Sequence, residues 1–172
     1  MVNPDRFEGA RLQASAFPDD DGAADASLDA ALSAWRQDRS RSADVLRALA
    51  SARLLVPVVA LLGEVEYDEQ GLAHDKSSDM AAVLMRGRDG RLALLAFTGT
   101  ERLTAWNPES RPVAVPAAVA AQSALQDDAA ALVLDVAGPV TFVVEGDDLV
   151  GLAAGWELVE VDGRSGWLRP TE

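Results

Sequence analysis

The stretch LLVPVVALL, residues 54–62, decides the fold, because it is the most hydrophobic run of nine residues in the chain. It has about half the length that a membrane-spanning helix requires, so it is too short to cross a bilayer. Its valines and its lack of polar alternation predict a strand that is buried on both faces. Pro57 has no backbone N–H to donate, and we expect it near the start of the strand or on a sheet edge.

Two amphipathic helices are predicted before this strand. Leu28, Leu32 and Trp35 have helical spacing, and we expect Ser27 to cap a helix that ends near residue 37. A second helix is expected to open at Ser40 or Ser42 and to present apolar residues at positions 45, 46, 49 and 52. The apolar faces of both helices should pack on a sheet.

Strand pairs and further helices alternate after this run. Asp89-Gly90 predicts a hairpin between strands 80–85 and 92–97, and Ala137-Gly138-Pro139 separates a second pair at 131–136 and 140–145. Short helices are expected to run through Trp106 and stop before Pro108, to follow Pro116 and to begin at Asp147. The predicted fold class is therefore α/β (α+β), with a mixed sheet of about five strands, helices packed against it and a small C-terminal hairpin.

The predicted organisation is one domain preceded by an arm. Residues 1–26 contain Asp19-Asp20-Asp21-Gly22 and few large apolar side chains, which indicates a flexible acidic arm, although it can instead dock onto the domain through Phe17. Residues 27–172 are then expected to form a single domain. It includes the terminal hairpin 156–169, which turns at Asp162-Gly163.

Composition excludes several classes of protein. The chain has no cysteine, one histidine and one lysine, so disulfides, thiolate metal sites and thiol catalysis are excluded, and no cofactor or metal is expected. A net charge of −13 disfavours nucleic acid and anionic membranes as partners and permits a basic protein partner. The first eleven residues do not resemble a secretory signal, and we expect a cytoplasmic protein.

Polar residues cluster in one predicted loop, just before a buried strand. Such loops are where binding groups concentrate, so we predict a ligand or partner site at this loop. Its residues are His74, Asp75, Lys76, Ser77, Ser78 and Asp79. The alternative is that the serines and carboxylates bond the loop backbone and that Lys76 is solvated.

Two tryptophans flank the terminal hairpin. Trp156 and Trp167 lie on its opposite arms and form either a cross-strand pair or an aromatic patch for a partner, with Arg164 and Arg169 beside it. We therefore add both tryptophans to the candidate partner-binding residues.

Several segments, in order along the chain, resemble the amino-terminal domain of the SseB family (enhanced serine sensitivity proteins). These segments are FPDDDG at 17–22, HDKSSDMA at 74–81, LLAFT at 94–98, AW at 105–106, RP at 111–112, AGPV at 137–140 and VVEG at 143–146. The first of them, FPDDDG, also resembles the short, single-domain members of the family.

The resemblance covers about residues 15–170 and implies an adaptor-like or interaction domain with no defined activity. We therefore expect a non-enzymatic, cytoplasmic protein-binding or regulatory module, with a sheet face or groove bordered by residues 75–79 as its site.

Two alternatives remain open. In the first, the protein is a hydrolase with Ser77 or Ser78 as nucleophile, His74 or Lys76 as base and Asp79 as the orienting acid. The sequence has neither a nucleophile-elbow motif nor a second histidine that would support this alternative. In the second, the protein is a structural subunit of a homo-oligomer.

Overall fold

A computed structural model describes residues 17–171, apart from 63–65, 68–72 and 75–77. The helices are α1 (Ala26–Gln37), α2 (Ser42–Ala50), α3 (Thr100–Trp106), α4 (Ala117–Gln126) and α5 (Gly146–Ala154). The strands are β1 (Arg53–Leu62), β2 (Glu66–Tyr67), β3 (Ala73–His74), β4 (Ser78–Ala82), β5 (Leu84–Arg86), β6 (Leu92–Ala96), β7 (Arg111–Pro116), β8 (Ala131–Leu134), β9 (Phe142–Glu145), β10 (Glu157–Val161) and β11 (Arg164–Leu168). None of the helices in the described ranges is long and apolar enough to pass through a membrane.

The larger strands form two hydrogen-bonded sheets with the orders β4-β1-β7 and β5-β6-β8-β9. Strands β6 and β8 are parallel and the other neighbours are antiparallel, so the arrangement is mixed. A two-way hydrogen bond between Leu55 and Phe97 joins the sheets, with both N···O distances at 2.8 Å. The predicted α+β class, with helices on a mixed sheet and a terminal hairpin, is confirmed.

Pro57 lies inside a central strand, so the expectation that it would lie near the strand start or on an edge is wrong. On one side of β1 it faces Pro112 of β7. Leu55 points its backbone N–H and C=O away from β7, and the backbone of Pro57, two positions later in the strand, faces the same way. The pair of prolines therefore occupies a position where β1 and β7 exchange no hydrogen bonds. On the other side, Pro57 O accepts from Val83 N at 3.0 Å, and Val83 O accepts from Leu95 N at 3.2 Å. The missing donor of Pro57 therefore leaves no acceptor unsatisfied at Val83.

The helices cover the two sheet faces unequally. Helices α1, α2, α4 and α5 pack on one face, where Leu54, Leu94 and Leu132 are fully buried. On the opposite face, α3 contributes Leu103 and Trp106 to a smaller cluster around Phe97. Helix α1 is capped by Asp25, which accepts from the backbone N–H groups of Ser27 and Leu28 at 3.0 Å, so the expected Ser27 cap is wrong. A carboxylate one position before the helix satisfies two of its free N–H groups.

A buried carboxyl group holds the turn after β8. Asp135 is 1% exposed, has a positive φ of 52° and accepts hydrogen bonds from the backbone N–H and the hydroxyl of Thr98 at 2.9 and 2.8 Å. Arg102 of α3 reaches Asp135, the Thr98 hydroxyl and Asp29 of α1. Burial raises the pKa of Asp135, although the donors from Thr98 and Arg102 act in the opposite direction. Burial opposes the charge of Arg102, but its contacts with Asp29 and Asp135 outweigh that cost and raise its pKa.

The described part of the predicted arm, residues 17–25, contacts the domain. Arg53 of β1 donates to Asp20 at 2.7 Å, to the carbonyl of Ala23 and to the carbonyl of Thr98. The Gly22 carbonyl accepts from Thr100 N at 2.8 Å at the start of α3. These contacts attach residues 20–23 to the domain, and the arm and single-domain organisation as a whole stays a prediction.

The terminal hairpin packs on α5 through Trp167. Its indole N–H donates to Asp148 at 2.8 Å, and its ring lies directly over Gly151. A Cβ atom at Gly151 would overlap that ring. The turn has Asp162 and Gly163 at φ of 51° and 72°, as the Asp-Gly pair predicts.

The Asp135 network leads to a first prediction. Asp135→Asn should lower the free energy of unfolding by about 3 kcal/mol, because it removes one of the two charged partners of partly buried Arg102 and one of the acceptors of Thr98. Asp162→Asn is the matched control, since it makes the same change at a positive φ in an exposed turn and should shift stability by less than about 0.5 kcal/mol. Urea unfolding measures both. Equal losses would show that the network does not hold the turn.

Gly151→Ala tests the packing of the hairpin on α5, because the sign of the change in stability depends on that packing. In a free helix, alanine would stabilise by about 1 kcal/mol relative to glycine. Here we expect destabilisation, with displacement of Trp167 visible as a red shift in tryptophan fluorescence, because the new methyl group overlaps the indole. Gly166→Ala has open space around it and should leave the spectrum unchanged. A stabilised Gly151→Ala protein with an unchanged spectrum would show that the hairpin does not pack on α5.

Candidate functional site

An open apolar groove lies on the helix-bearing face of the sheet β4-β1-β7, beyond the end of α4. The cavity is about 480 Å³. Its floor comes from neighbouring positions of three strands, because Val56 pairs with Val113 and Val58 pairs with Ala82. Val113 is 41% exposed, whereas Val56 opposite it is 6% exposed. The lining residues are Val56, Val58, Ala81, Ala82, Val113, Val115, Ser123, Gln126 and Asp127.

The groove exists because α4 is shorter than the sheet beneath it. Helix α4 packs in the same core as Leu54 and Val56 and ends at Gln126, while β1 and β7 stay paired as far as Val58 and Arg111. The valines beyond the helix end therefore have no helix above them. Apolar side chains that stay open to solvent beside a few polar groups are typical of binding surfaces.

The rim of the groove is negative. Asp127 is the C-cap of α4 and Asp128 follows it, at the end of the helix where the backbone carbonyls carry partial negative charge. The helix itself contains no charged residue. Neither aspartate forms an ion pair with a residue in the described ranges, and Arg111, the cation on the same sheet face, does not line the groove.

Asp128 adopts a backbone conformation that favours glycine. Its φ is 54°, and the following Ala129 N–H donates to the Ala124 carbonyl at 2.8 Å, which is the hydrogen-bond pattern of a helix end with a left-handed residue. Aspartate costs more than glycine in this conformation. The helix end thus carries an acidic side chain where an uncharged residue would be more stable.

The outer edge of β7 is poorly suited to pairing with another strand. The alternation set by Leu55 points the backbone of Val113 and Val115 toward β1, and that of Pro112, Ala114 and Pro116 outward. Two of these three outward positions are proline and offer no N–H. Prolines on an edge strand prevent further strand addition, so a partner can engage this region through the groove better than through the edge.

Two other cavities are more polar. One, of about 380 Å³, lies between α1, α3 and the turn before β9, and its Asp29 and Arg102 already pair with each other. The other, of about 510 Å³, lies beside the terminal hairpin. In it the Asp148 carboxylate accepts from Trp167, and the Arg169 guanidinium stacks 4.9 Å from the ring centre of Trp156. The internal partners in both cavities occupy much of the chemistry that a ligand would use.

A family model described as the SseB protein N-terminal domain matches residues 28–150, which is more than two thirds of the chain. The chain belongs to the SseB family. The matched region contains the strands and helices that build the groove, including β1, β7 and α4. Comparison with curated proteins, and separately with solved structures, gave no match.

The residues predicted from sequence lie in two parts of this SseB-family domain. His74 is in β3, and Ser78 and Asp79 are in β4, where they pair with Leu62 and Leu61. Asp75, Lys76 and Ser77 lie outside the described residues, so the predicted loop site stays a prediction. Strand β4 continues from that loop and supplies Ala81 and Ala82 to the groove wall.

Trp156 and Trp167 line the hairpin cavity of the SseB-family domain, but they are not a cross-strand pair. The residue opposite Trp167 is Leu158, and Trp156 precedes the first hairpin strand. The partner-binding role of the two tryptophans stays a prediction. Within the described residues there is no group of three or more His, Asp or Glu side chains placed to hold a metal.

Sequence reasoning missed the residues that build the groove. Val113 and Val115 alternate in the segment RPVAVP, which indicates a one-sided strand, but nothing in that segment indicates which strand it pairs with. Asp127-Asp128 reads as an ordinary polar helix end. The signal that was available is the absence of any charge within α4 followed directly by two aspartates.

The strained helix end can be tested by substitution with glycine. Asp128→Gly should raise the free energy of unfolding by about 0.5–1 kcal/mol, because glycine adopts a positive φ without a steric cost. Asp127→Gly should lower it, since Asp127 has a φ of −90° and glycine there adds only unfolded-state entropy. Thermal unfolding by circular dichroism measures both. Stabilisation by both substitutions, or by neither, would contradict the assignment of Asp128 as the left-handed residue.

Proposed function

We propose that this SseB-family protein is a cytoplasmic protein-binding or regulatory module that holds a segment of a partner in the groove over β4, β1 and β7. The observation that carries the proposal is the apolar floor beside the end of α4, where Val113 is exposed and Val58 and Val115 are half-buried. The main core, by contrast, is filled from within the chain. The family match supports a domain of this kind and leaves its partner open.

The shape of the groove favours a polypeptide segment as its occupant. A cavity of about 480 Å³ that is open along one side holds a few side chains and does not enclose a small molecule. The walls differ in character, with strand residues on one side and Ser123, Gln126 and Asp127 of α4 on the other. An apolar centre with a polar rim is the common anatomy of protein interfaces.

Val113→Asp tests this proposal directly. The substitution places a charge on the apolar floor, and desolvating it on binding should weaken partner capture by at least about tenfold. Val113 is exposed in the free protein, so the variant should fold. Val161→Asp is the matched control, because Val161 is an exposed valine at the end of β10 in the terminal hairpin.

The measurement is quantitative mass spectrometry of proteins that immobilised wild-type, Val113→Asp and Val161→Asp chains retain from native cell extract. We expect proteins that wild-type and Val161→Asp retain equally and that Val113→Asp loses. Equal retention by all three chains would place any binding elsewhere and overturn the proposal. Retention of nothing above background by wild-type would overturn it as well.

A further inference from the structure

We infer that the segment held in the groove is apolar at its centre and carries an arginine or lysine that lies against Asp127 and Asp128 at the end of α4. This inference rests on the proposed function, because it names the chemistry of the partner at the same groove. It depends on three features of the described residues: the valine floor, the end of the helix and the absence of an internal cation.

The first step concerns the direction of the electrostatic field at the rim. The aligned peptide dipoles of α4 place partial negative charge at its C-terminus, and two carboxylates stand at the same point. Both contributions have the same sign. The end of α5 that carries Asp147 and Asp148 is different, because there the carboxylates stand at a helix N-terminus and are offset by its positive partial charge.

The second step concerns the charges that the protein itself could supply. Basic residues in the last turn of a helix offset its negative end, and α1 and α2 have Arg36 and Arg47 there, whereas α3, α4 and α5 have none. Arg47 is engaged with Asp44 and Glu160. Arg111 lies on the same sheet face opposite Val58, but no ion pair among the described residues involves Asp127 or Asp128. A basic side chain from a partner would complete this helix end.

The third step combines the rim with the floor. A lone lysine or arginine at an exposed carboxylate gains little free energy, because water screens the pair. An apolar segment on the valines supplies the binding energy, and the basic group selects among apolar segments and sets their direction in the groove. The net charge of −13 adds long-range attraction for such a segment.

The fourth step excludes the competing way of binding. A partner that added a strand to β7 would be recognised by backbone hydrogen bonds and would be indifferent to side-chain charge. Pro112 and Pro116 remove two of the three outward donors of that edge. Recognition by side chains is left, and the groove offers them an apolar floor of valines and alanines beside Ser123, Gln126 and Asp127.

The test is a selection of random twelve-residue displayed peptides on the full chain, after depletion of the library on the Val113→Asp variant. We expect enriched peptides that combine valine, leucine or isoleucine with at least one arginine or lysine. The most enriched peptide is then synthesised, and its affinity is measured for wild-type and for Asp127→Asn/Asp128→Asn. Asparagine keeps the volume of aspartate and tolerates a positive φ, so the helix end should be preserved.

Loss of both carboxylates should weaken that peptide by about five- to tenfold and should flatten the salt dependence of its affinity. Asp147→Asn/Asp162→Asn is the matched control. It changes the net charge by the same amount at two exposed aspartates away from the groove, and it should leave the affinity almost unchanged.

The outcomes separate the inference from the function beneath it. If peptides are enriched but lack basic residues, or bind Asp127→Asn/Asp128→Asn as well as wild-type, the inference is overturned and the groove remains a binding site. Equal weakening by the two double variants would assign the effect to overall charge and would also overturn the inference. If depletion on Val113→Asp removes every binder, the groove itself is not the site, and both proposals fail together.

Discussion

Strand β1 is the element on which the rest of the structure depends, because it is hydrogen-bonded in both sheets. It pairs with β7 along one side and with β4 along part of the other, and through Leu55 it exchanges two hydrogen bonds with Phe97 at the end of β6. Backbone groups in a buried strand must all find partners. Along one side, β1 is bonded to Phe97 at Leu55 and to β4 from Val58 onward, and this change of partner must leave no donor or acceptor unpaired. Pro57 lies at the point of change. With no N–H to satisfy, Pro57 frees Val83 O for Leu95 N and so permits β1 to leave β6 and join β4.

The groove follows from that arrangement. Strand β1 is shared by two sheets and extends beyond the helices that cover it. Helix α4 in particular ends before the paired part of β1 and β7 does. The valines past the helix end keep the apolar character that the buried part of the strand requires. The same helix end brings its partial negative charge and two aspartates to the rim. The apolar floor and the acidic rim thus have one structural origin, the difference in length between a helix and the strands beneath it.

Much of the fold was predictable because its signals are local. The spacing of Leu28, Leu32 and Trp35 predicted α1, and Asp162-Gly163 predicted the terminal hairpin, since helix periodicity and positive-φ turns depend on neighbouring residues. Asp89-Gly90 predicted the β5-β6 turn, but the single strand expected over 80–85 is wrong, because residues 80–82 pair with β1 and only residues 84–86 pair with β6. The errors have equally local causes. Asp25, two residues before Ser27, caps α1 instead, because its carboxylate accepts from the backbone N–H groups of Ser27 and Leu28. The prediction for Pro57 was wrong because a proline fits in a central strand only when another strand donates to the acceptor that the proline cannot satisfy. Here Leu95 N donates to Val83 O, and that pairing is not visible from Pro57 alone.

The sequence by itself determined most of the helices and turns, the mixed α+β class, the family and the acidic, cysteine-free character of the protein. These properties depend on residue type, on spacing along the chain and on turn chemistry, all of which are present in the linear order. Only the tertiary structure decided which strands are neighbours, which valines remain open and which carboxylates stand beside them. Val56 and Val113 are 57 positions apart in the sequence and directly opposite in the sheet, and Asp127 reaches the same place by way of α4. A site assembled from pairings between distant segments has no signature in any one segment, because register and helix length act together only after the chain has folded.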